Sequence, residues 1–408
     1  MLKEFMSFPD SIKPFKGLLY NPEVVNDLSS CICPPYDVID EPKYYYRMSP
    51  YNAIKLELPM DSKKANRYEA ARITLQKWIN ERVLIEDEES IYICEQTFTL
   101  DGETYKRRGF LALIGLDRER ILTHERTRRE PKEDRERLFR AIKTFTNFVF
   151  GLYADKEERI EEIIDGAKKE KLFEFVEENE IHTEFHRVRL KRDIDRIREF
   201  MENKKIYIAD GHHRLAVFKR LRLKHIPIYL TNMFSRGLRI LPYHRLVRFR
   251  DGERTEEILQ LLLKKYPHSA YKIPGENLKE LKSKIEDPQT VSFGFLRKEN
   301  PEVIYIFEIE RRGHEERKDP SKKLKIQMIH NRVIKGLLKI KDREIDFIPW
   351  LEKAKKLMKE GHVDVAFICP AVTVDEIKSV AEAKLTMPPK STYFYPKLPT
   401  GPIFYRYG

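Results

Sequence analysis

Long apolar runs are missing from this chain of 408 residues, and cysteine is scarce. No stretch approaches the roughly 20 apolar residues that a membrane-spanning helix needs. The first nine residues have no apolar segment of the signal-peptide kind, so a soluble, reducing, cytoplasmic setting is expected. The four cysteines are Cys31, Cys33, Cys94 and Cys369. A C-x-C pair lacks the second half of a zinc site and the other two lie far apart, and four cysteines in a chain this long do not suggest a disulfide scaffold. The familiar phosphate and nucleophile loops are absent too: no G-x-x-x-x-G-K-[ST], no G-x-G-x-x-G, no protein-kinase catalytic loop, no G-x-S-x-G. Any phosphoryl transfer must therefore use another scaffold. There are no repeats and no low-complexity linker, so the domains are expected to pack closely.

What is present is charge. Seventy-eight basic residues against 66 acidic ones give +12, a balance that favours anionic partners without choosing between nucleic acid and a small phosphate. The mixed-sign abundance resembles the ion-paired surfaces of thermophile proteins. Runs such as Lys279 to Lys284 and Lys353 to Lys359 read as solvated helix faces. At this length two or three domains are expected.

The apolar spacing predicts a helix over 66–82, with a stripe of Ala70, Ile73, Leu75, Trp78 and Ile79. A hairpin follows, with strands over 91–100 and 104–116 flanking the turn pair Asp101-Gly102. A helix from about Pro131 buries Leu138, Phe139, Ile142 and Phe145. Residues 155–180 read as charged surface helix. A short strand over 205–209 ends at Asp210, and a helix then runs to about Lys224, stopping before Pro227. Later come a hairpin (291–296 and 303–309), a buried strand (363–368), and a helix opened by a Thr373/Glu376 capping box. The fold class is α+β, a mixed α/β arrangement.

Three segments can carry chemistry. In Asp210-Gly211-His212-His213-Arg214 a strand delivers a carboxylate, Gly211 permits a sharp turn, and a helix begins at once. Free N–H groups there bind anions, the His-His-Arg run adds donors, and Asp210 suits Mg²⁺. A plain capped helix is the structural alternative. His124-Glu125, just before a helix, reads equally as a cap or as the base that orients an attacking hydroxyl; a zincin site fails because Arg128 stands where H-E-x-x-H needs histidine. Lys390-Ser391-Thr392, after two prolines, offers an ammonium and two hydroxyls suited to a phosphoryl group or a carboxylate; alone it also reads as an exposed turn. Tyr36-Asp37 and Pro242-Tyr243-His244-Arg245 read as structural.

In order along the chain, "PPYDVI", "HERT", "ADGHHR", "LPYHRLV" and "MPPKSTYFYPK" resemble the family called domain of unknown function 1015. Part of the chain also resembles the free-serine kinases of hyperthermophilic archaea, which use ADP as donor. The shared features are a strand, His-Glu and helix at 111–145, a strand into Asp-Gly-His-His-Arg at 206–214, and a strand, helix and Pro-Lys-Ser-Thr at 363–392. That resemblance implies a ParB/sulfiredoxin-like catalytic domain. It implies Glu125 as base toward the substrate hydroxyl, and Asp210 near Mg²⁺ and the transferred phosphate. His213 would join them in catalysis, with Gly211, His212, Arg214 and Lys390 on the donor phosphates. His124, Ser391 and Thr392 would contact the substrate. Ser391 replaces the kinases' threonine, and Tyr393 replaces the arginine that follows it.

The expected division is an N-terminal α+β region over 1–110, a ParB-like phosphate-binding domain over 111–250 with an insertion at about 150–204, and a C-terminal α/β domain over 251–408 closing a cleft. The expected function is phosphorylation of a small alcohol, free L-serine giving O-phospho-L-serine, with ADP, ATP or pyrophosphate as donor. Neither a membrane nor nucleic acid is an expected partner. The competing reading is a ParB-like nucleotide- or nucleic-acid-binding protein without kinase activity. Sulfiredoxin-like redox chemistry ranks last, because the phosphate loop carries His212 where that chemistry needs cysteine.

Overall fold

The computed structural model describes residues 12–62, 65–117, 119–125, 129–249, 254–266, 271–274, 278–310 and 319–407. The chain forms two compact units, and the expected α+β class holds. One unit takes 1–123, 127–239 and 396–408; the other takes 124–126 and 240–395. Among the described residues no helix is long and apolar enough to cross a membrane. The first nine residues, read for a signal segment, lie outside the described residues.

The first unit is built on an eleven-stranded sheet. Nine strands follow one path: Ile121–Leu122, Ile206–Asp210, Val149–Tyr153, His225–Asn232, Glu103–Gly115, Leu84–Leu100, Phe15–Tyr20, Ile403–Arg406 and Thr144–Phe145. Its backbone is the long hairpin of Leu84–Leu100 and Glu103–Gly115, whose Asp101 and Gly102 both take positive φ, the backbone a two-residue turn of this hand requires. Leu84–Leu100 is long enough for three neighbours: its first part pairs with Phe15–Tyr20, its later part with Ile181–Val188 and Glu103–Gly115. One core joins Ile93, Phe110, Ile114, Val149, Ile208, Leu215 and Phe218. A second gathers Leu18, Tyr20, Ile54, Leu75, Trp78 and Leu138.

Several local expectations change in this context. The helix Arg67–Asn80 is capped by Asn66 and buries Ala71, Leu75 and Trp78, while Ile73 is 50% exposed. The helix Arg129–Ile142 ends before Phe145, which stands in a short strand. The charged helix expected over 155–180 is α-helical only over Arg159–Asp165, with a 3-10 turn at Glu178–Glu180. Lys169–Glu177 is a strand, paired with Ile181–Val188 so that Phe173 and Phe175 pack on Phe185. Cross-strand aromatic packing of this kind outweighs the helix propensity of its lysines and glutamates. The helix after Asp210 stops at Arg220, and Pro227 lies inside the strand His225–Asn232. It pairs with Leu113 on one side and precedes by one residue the parallel ladder with Val149–Tyr153 on the other, so its missing N–H falls where that ladder has not begun.

The domain boundaries move as well. A break at 110 would cut the strand Glu103–Gly115, and residues on both sides belong to one unit. The segment read as an insertion begins with Val149–Tyr153, paired on both edges inside the sheet. Position 250 lies outside the described residues, and the second unit takes up the chain at Ile240. Residues 396–408 return to the first unit, where Ile403–Arg406 pairs with Phe15–Tyr20 and with Thr144–Phe145.

The second unit carries a six-stranded sheet in the order Tyr271–Pro274, Val303–Glu308, Ser292–Arg297, Val365–Ile368, His244–Val247 and Ile345–Ile348. The helices Leu278–Glu286 and Leu351–Lys359 set Leu281, Ile285, Ala354 and Met358 against Leu296, Ile304, Ile306 and Ala366. The Thr373/Glu376 capping box forms as its sequence predicts.

Candidate active site

The strand Ile206–Asp210 is apolar and buried until its last residue, so the sheet fixes Asp210 at its C-terminal end, opposite Phe150. Gly211 follows with φ +84, a conformation that L side chains rarely adopt. The helix His212–Arg220 starts there with no side-chain cap from its N-cap residue, and its first N–H groups point out of the helix start, the geometry that favours an anion.

Arg214 folds back over this turn. A Cβ on Gly211 would lie 3.0 Å from Arg214 Nε and 3.1 Å from Nη2. Nη2 donates to Asp210 Oδ2 at 2.9 Å and Nη1 to Asn147 Oδ1, while the buried Nε has no hydrogen-bond partner. The other carboxylate oxygen, Asp210 Oδ1, accepts from Lys397 Nζ at 3.0 Å. Both cations are almost fully buried, at 4% and 8% side-chain exposure. One carboxylate is thus clamped by two cations at the mouth of a helix.

Asn147 ties this cluster to the end of the chain. Its Nδ2 donates to Leu398 O at 3.1 Å and to Thr400 Oγ1 at 2.7 Å. Thr400 in turn exchanges two main-chain bonds with Cys33. Tyr36 belongs to the same surroundings: Arg135 stacks on its ring at 4.6 Å, its N–H donates to Glu57 Oε1 at 3.3 Å, and Thr146 donates to Glu57. Burial raises the Tyr36 phenol, and the nearby Arg214 and Arg135 partly oppose that shift. Lys397 and Asn147 escaped the sequence reading. Lys397 closes the "MPPKSTYFYPK" motif and could have been noticed there; Asn147 gives no signal, because its role depends on a partner 253 residues away.

Burial lowers His212 to about 4, with Asp210 raising it and His213, Lys397 and Arg214 lowering it further. It is neutral at pH 7 and serves as a neutral donor or acceptor. The consequence for stability has a definite sign. The unfolded chain protonates here below about pH 6.5, whereas the folded protein resists until about pH 4. Stability is therefore full above pH 6.5 and is lost as pH falls toward 4, by about 3 kcal/mol at most from this residue. His212→Gln is expected to flatten the denaturation midpoint against pH between 6.5 and 4; an unchanged slope would mean that this histidine is not held neutral.

In the second unit two motifs meet that lie far apart in sequence. Met387 N donates to His124 O at 2.8 Å, and Glu125 bridges to Met387 in parallel. His124 is buried and Glu125 half-buried. The same segment continues into Lys390, which has φ +53, and whose Nζ lies 3.5 Å from Tyr243 Oη and over the Tyr243 ring. Ser391 Oγ donates to Pro388 O at 2.7 Å and closes the turn; Ser391 and Thr392 are both buried. The expected site residues thus form two groups: Asp210, Gly211, His212, His213 and Arg214 in one unit, and His124, Glu125, Lys390, Ser391 and Thr392 in the other.

The magnesium expected at Asp210 does not fit the donor set there, since both oxygens of this carboxylate are ion-paired and the neighbouring charges are cations. Among the described residues the one cluster with metal-ligand spacing is Glu174, His182 and Glu184, which contains none of the expected site residues. All four cysteines are free and buried, and burial raises each thiol. Such thiols are poor nucleophiles.

Residues 12–359 match the profile of the family described as "Protein of unknown function (DUF1015)". The chain belongs to this family. Among curated proteins no sequence match is found. In solved structures this DUF1015 chain is similar to a free serine kinase in complex with AMP, with 17% identity, a TM-score of 0.37, and coverage of 72% of this chain and 88% of that one. It is also similar to a conserved hypothetical protein from Pyrococcus furiosus, at 19% identity and TM-score 0.36, covering 71% and 93%. A third is SbnI with C-terminal truncation from Staphylococcus aureus, at 10% identity and TM-score 0.35, covering 71% and 84%.

Proposed function

We propose that this DUF1015 protein is a small-molecule phosphotransferase that moves a phosphoryl group onto the hydroxyl of free L-serine, from ADP, ATP or pyrophosphate. The observation that carries the reading is the Asp210–Arg214 turn: a buried strand, a positive-φ glycine, a helix start and two buried cations. Serine and an adenine nucleotide enter through the motif resemblance alone.

In this reading the helix N–H groups of 212–214, Arg214 and neutral His212 hold the donor phosphates, and His213 supports charge on the moving phosphoryl. The serine oxygen forms a bond to the terminal phosphorus while the bond from that phosphorus to the leaving phosphate breaks, its electron pair staying on the leaving oxygen. The hydroxyl proton passes to Glu125. Lys390 supplies positive charge toward a phosphoryl oxygen or the substrate carboxylate, and His124 and Thr392 shape the substrate side. Ser391 serves there through the turn it closes. A divalent ion, in this proposal, is carried by the donor's own oxygens rather than by Asp210.

The test is incubation with each ³²P-labelled donor and a panel of hydroxylated metabolites. Labelled O-phospho-L-serine is expected from at least one donor. If no donor labels serine or any other small alcohol, the kinase reading fails.

A further inference from the structure

We propose that Asp210 is the resting counter-ion of Lys397 and Arg214, and that Lys397 is a phosphate-binding residue which leaves Asp210 for a condensed phosphate, with no metal needed at Asp210. The inference rests on the reading that a phosphate chain binds at the helix start after Gly211, and it adds a residue and reverses a role within that reading.

Its first support is the pairing. Each oxygen of Asp210 meets a different cation, Lys397 Nζ at 3.0 Å and Arg214 Nη2 at 2.9 Å. A metal ligand at this position would have to give up one of these bonds and would bring a third positive charge beside two others. A condensed phosphate does the opposite. It carries several negative charges where the carboxylate carries one, so exchange of Lys397 from Asp210 to phosphate gains attraction. Holding both cations on one carboxylate until then removes the cost of two unpaired buried charges.

The second support is how the two cations are held. Arg214 Nε is buried without a partner while the same guanidinium packs against Gly211, the residue that opens the helix. An unmet donor therefore stands beside the start of the helix, where an anion would meet it. The main chain is fixed at Lys397 and just after it. Gln96 Nε2 donates to Lys397 O at 3.4 Å, and Asn147 holds Leu398 and Thr400. The Lys397 side chain swings from a fixed base, whereas Arg214 stays anchored to Asn147.

Titration calorimetry of the full chain with sodium pyrophosphate, in buffer containing EDTA, tests this. The wild type is expected to bind. Lys397→Met should weaken binding by about tenfold or more, the scale of one charge-assisted contact, and Lys397→Arg should restore much of it. Asp210→Asn should bind metal-free pyrophosphate about three- to tenfold more tightly, because two cations lose their competitor. Wild type that binds only when Mg²⁺ is added, or Asp210→Asn that binds more weakly, would overturn the proposal. So would Lys397→Met with wild-type affinity. Should Lys397→Met not fold, the sign of the Asp210→Asn change decides alone. Pyrophosphate bound through Lys397 by a protein that phosphorylates no alcohol would sink the kinase reading and leave this inference standing.

Discussion

Replacing Glu125 by glutamine is expected to cut turnover of the alcohol by about 10²- to 10⁴-fold, with little change in donor affinity. The amide keeps the size and hydrogen-bonding shape of the side chain but cannot take the hydroxyl proton. The backbone of the variant should be held in place by the main-chain pairing of residues 124 and 125 with Met387, which the substitution leaves intact. A drop confined to kcat identifies the base. A matched fall in thermal stability would instead mean that Glu125 holds the turn, and near-wild-type turnover would remove it from the mechanism.

The largest stability effect is expected from Asn147→Leu. Asn147 is 1% exposed and makes three side-chain bonds: it accepts from Arg214 and donates to Leu398 O and Thr400 Oγ1. Leucine keeps the branched outline but leaves a buried guanidinium N–H and a buried carbonyl without partners. Each such group costs about 1–3 kcal/mol, more where it is charged, so a loss of about 3 kcal/mol or more is expected in urea denaturation. Because the lost bonds hold both Arg214 and the segment after Lys397, pyrophosphate binding should weaken in the same variant. An unchanged denaturation midpoint would show that the end of the chain is not anchored through this residue.

The elements read correctly from sequence share a cause. Asp101-Gly102, the Thr373/Glu376 cap and the strand-to-helix turn at Asp210-Gly211 are all set by backbone preferences within a few residues. The errors share one as well. Lys169–Glu177 has a helix-like composition, but its phenylalanines find Phe185 across a hairpin. The helix read as running to about Lys224 ends at Arg220, and Pro227 is absorbed at the start of a ladder with a strand nearly 80 residues earlier. Ile73 lies two residues from Leu75, on the wrong side of the turn to share its buried face.

The Asp210–Arg214 segment was legible as a sharp strand-to-helix turn because strand, glycine and helix start are contiguous. Sequence alone also fixed the absence of a Walker loop and the family that the ordered motifs carry. Tertiary structure decided what Asp210 is bonded to. Its partner Lys397 lies 187 residues away and comes back only because the strand Ile403–Arg406 pairs with Phe15–Tyr20. Local preference cannot encode such a contact, since its energy depends on burial and on charges that meet only once the sheet has closed.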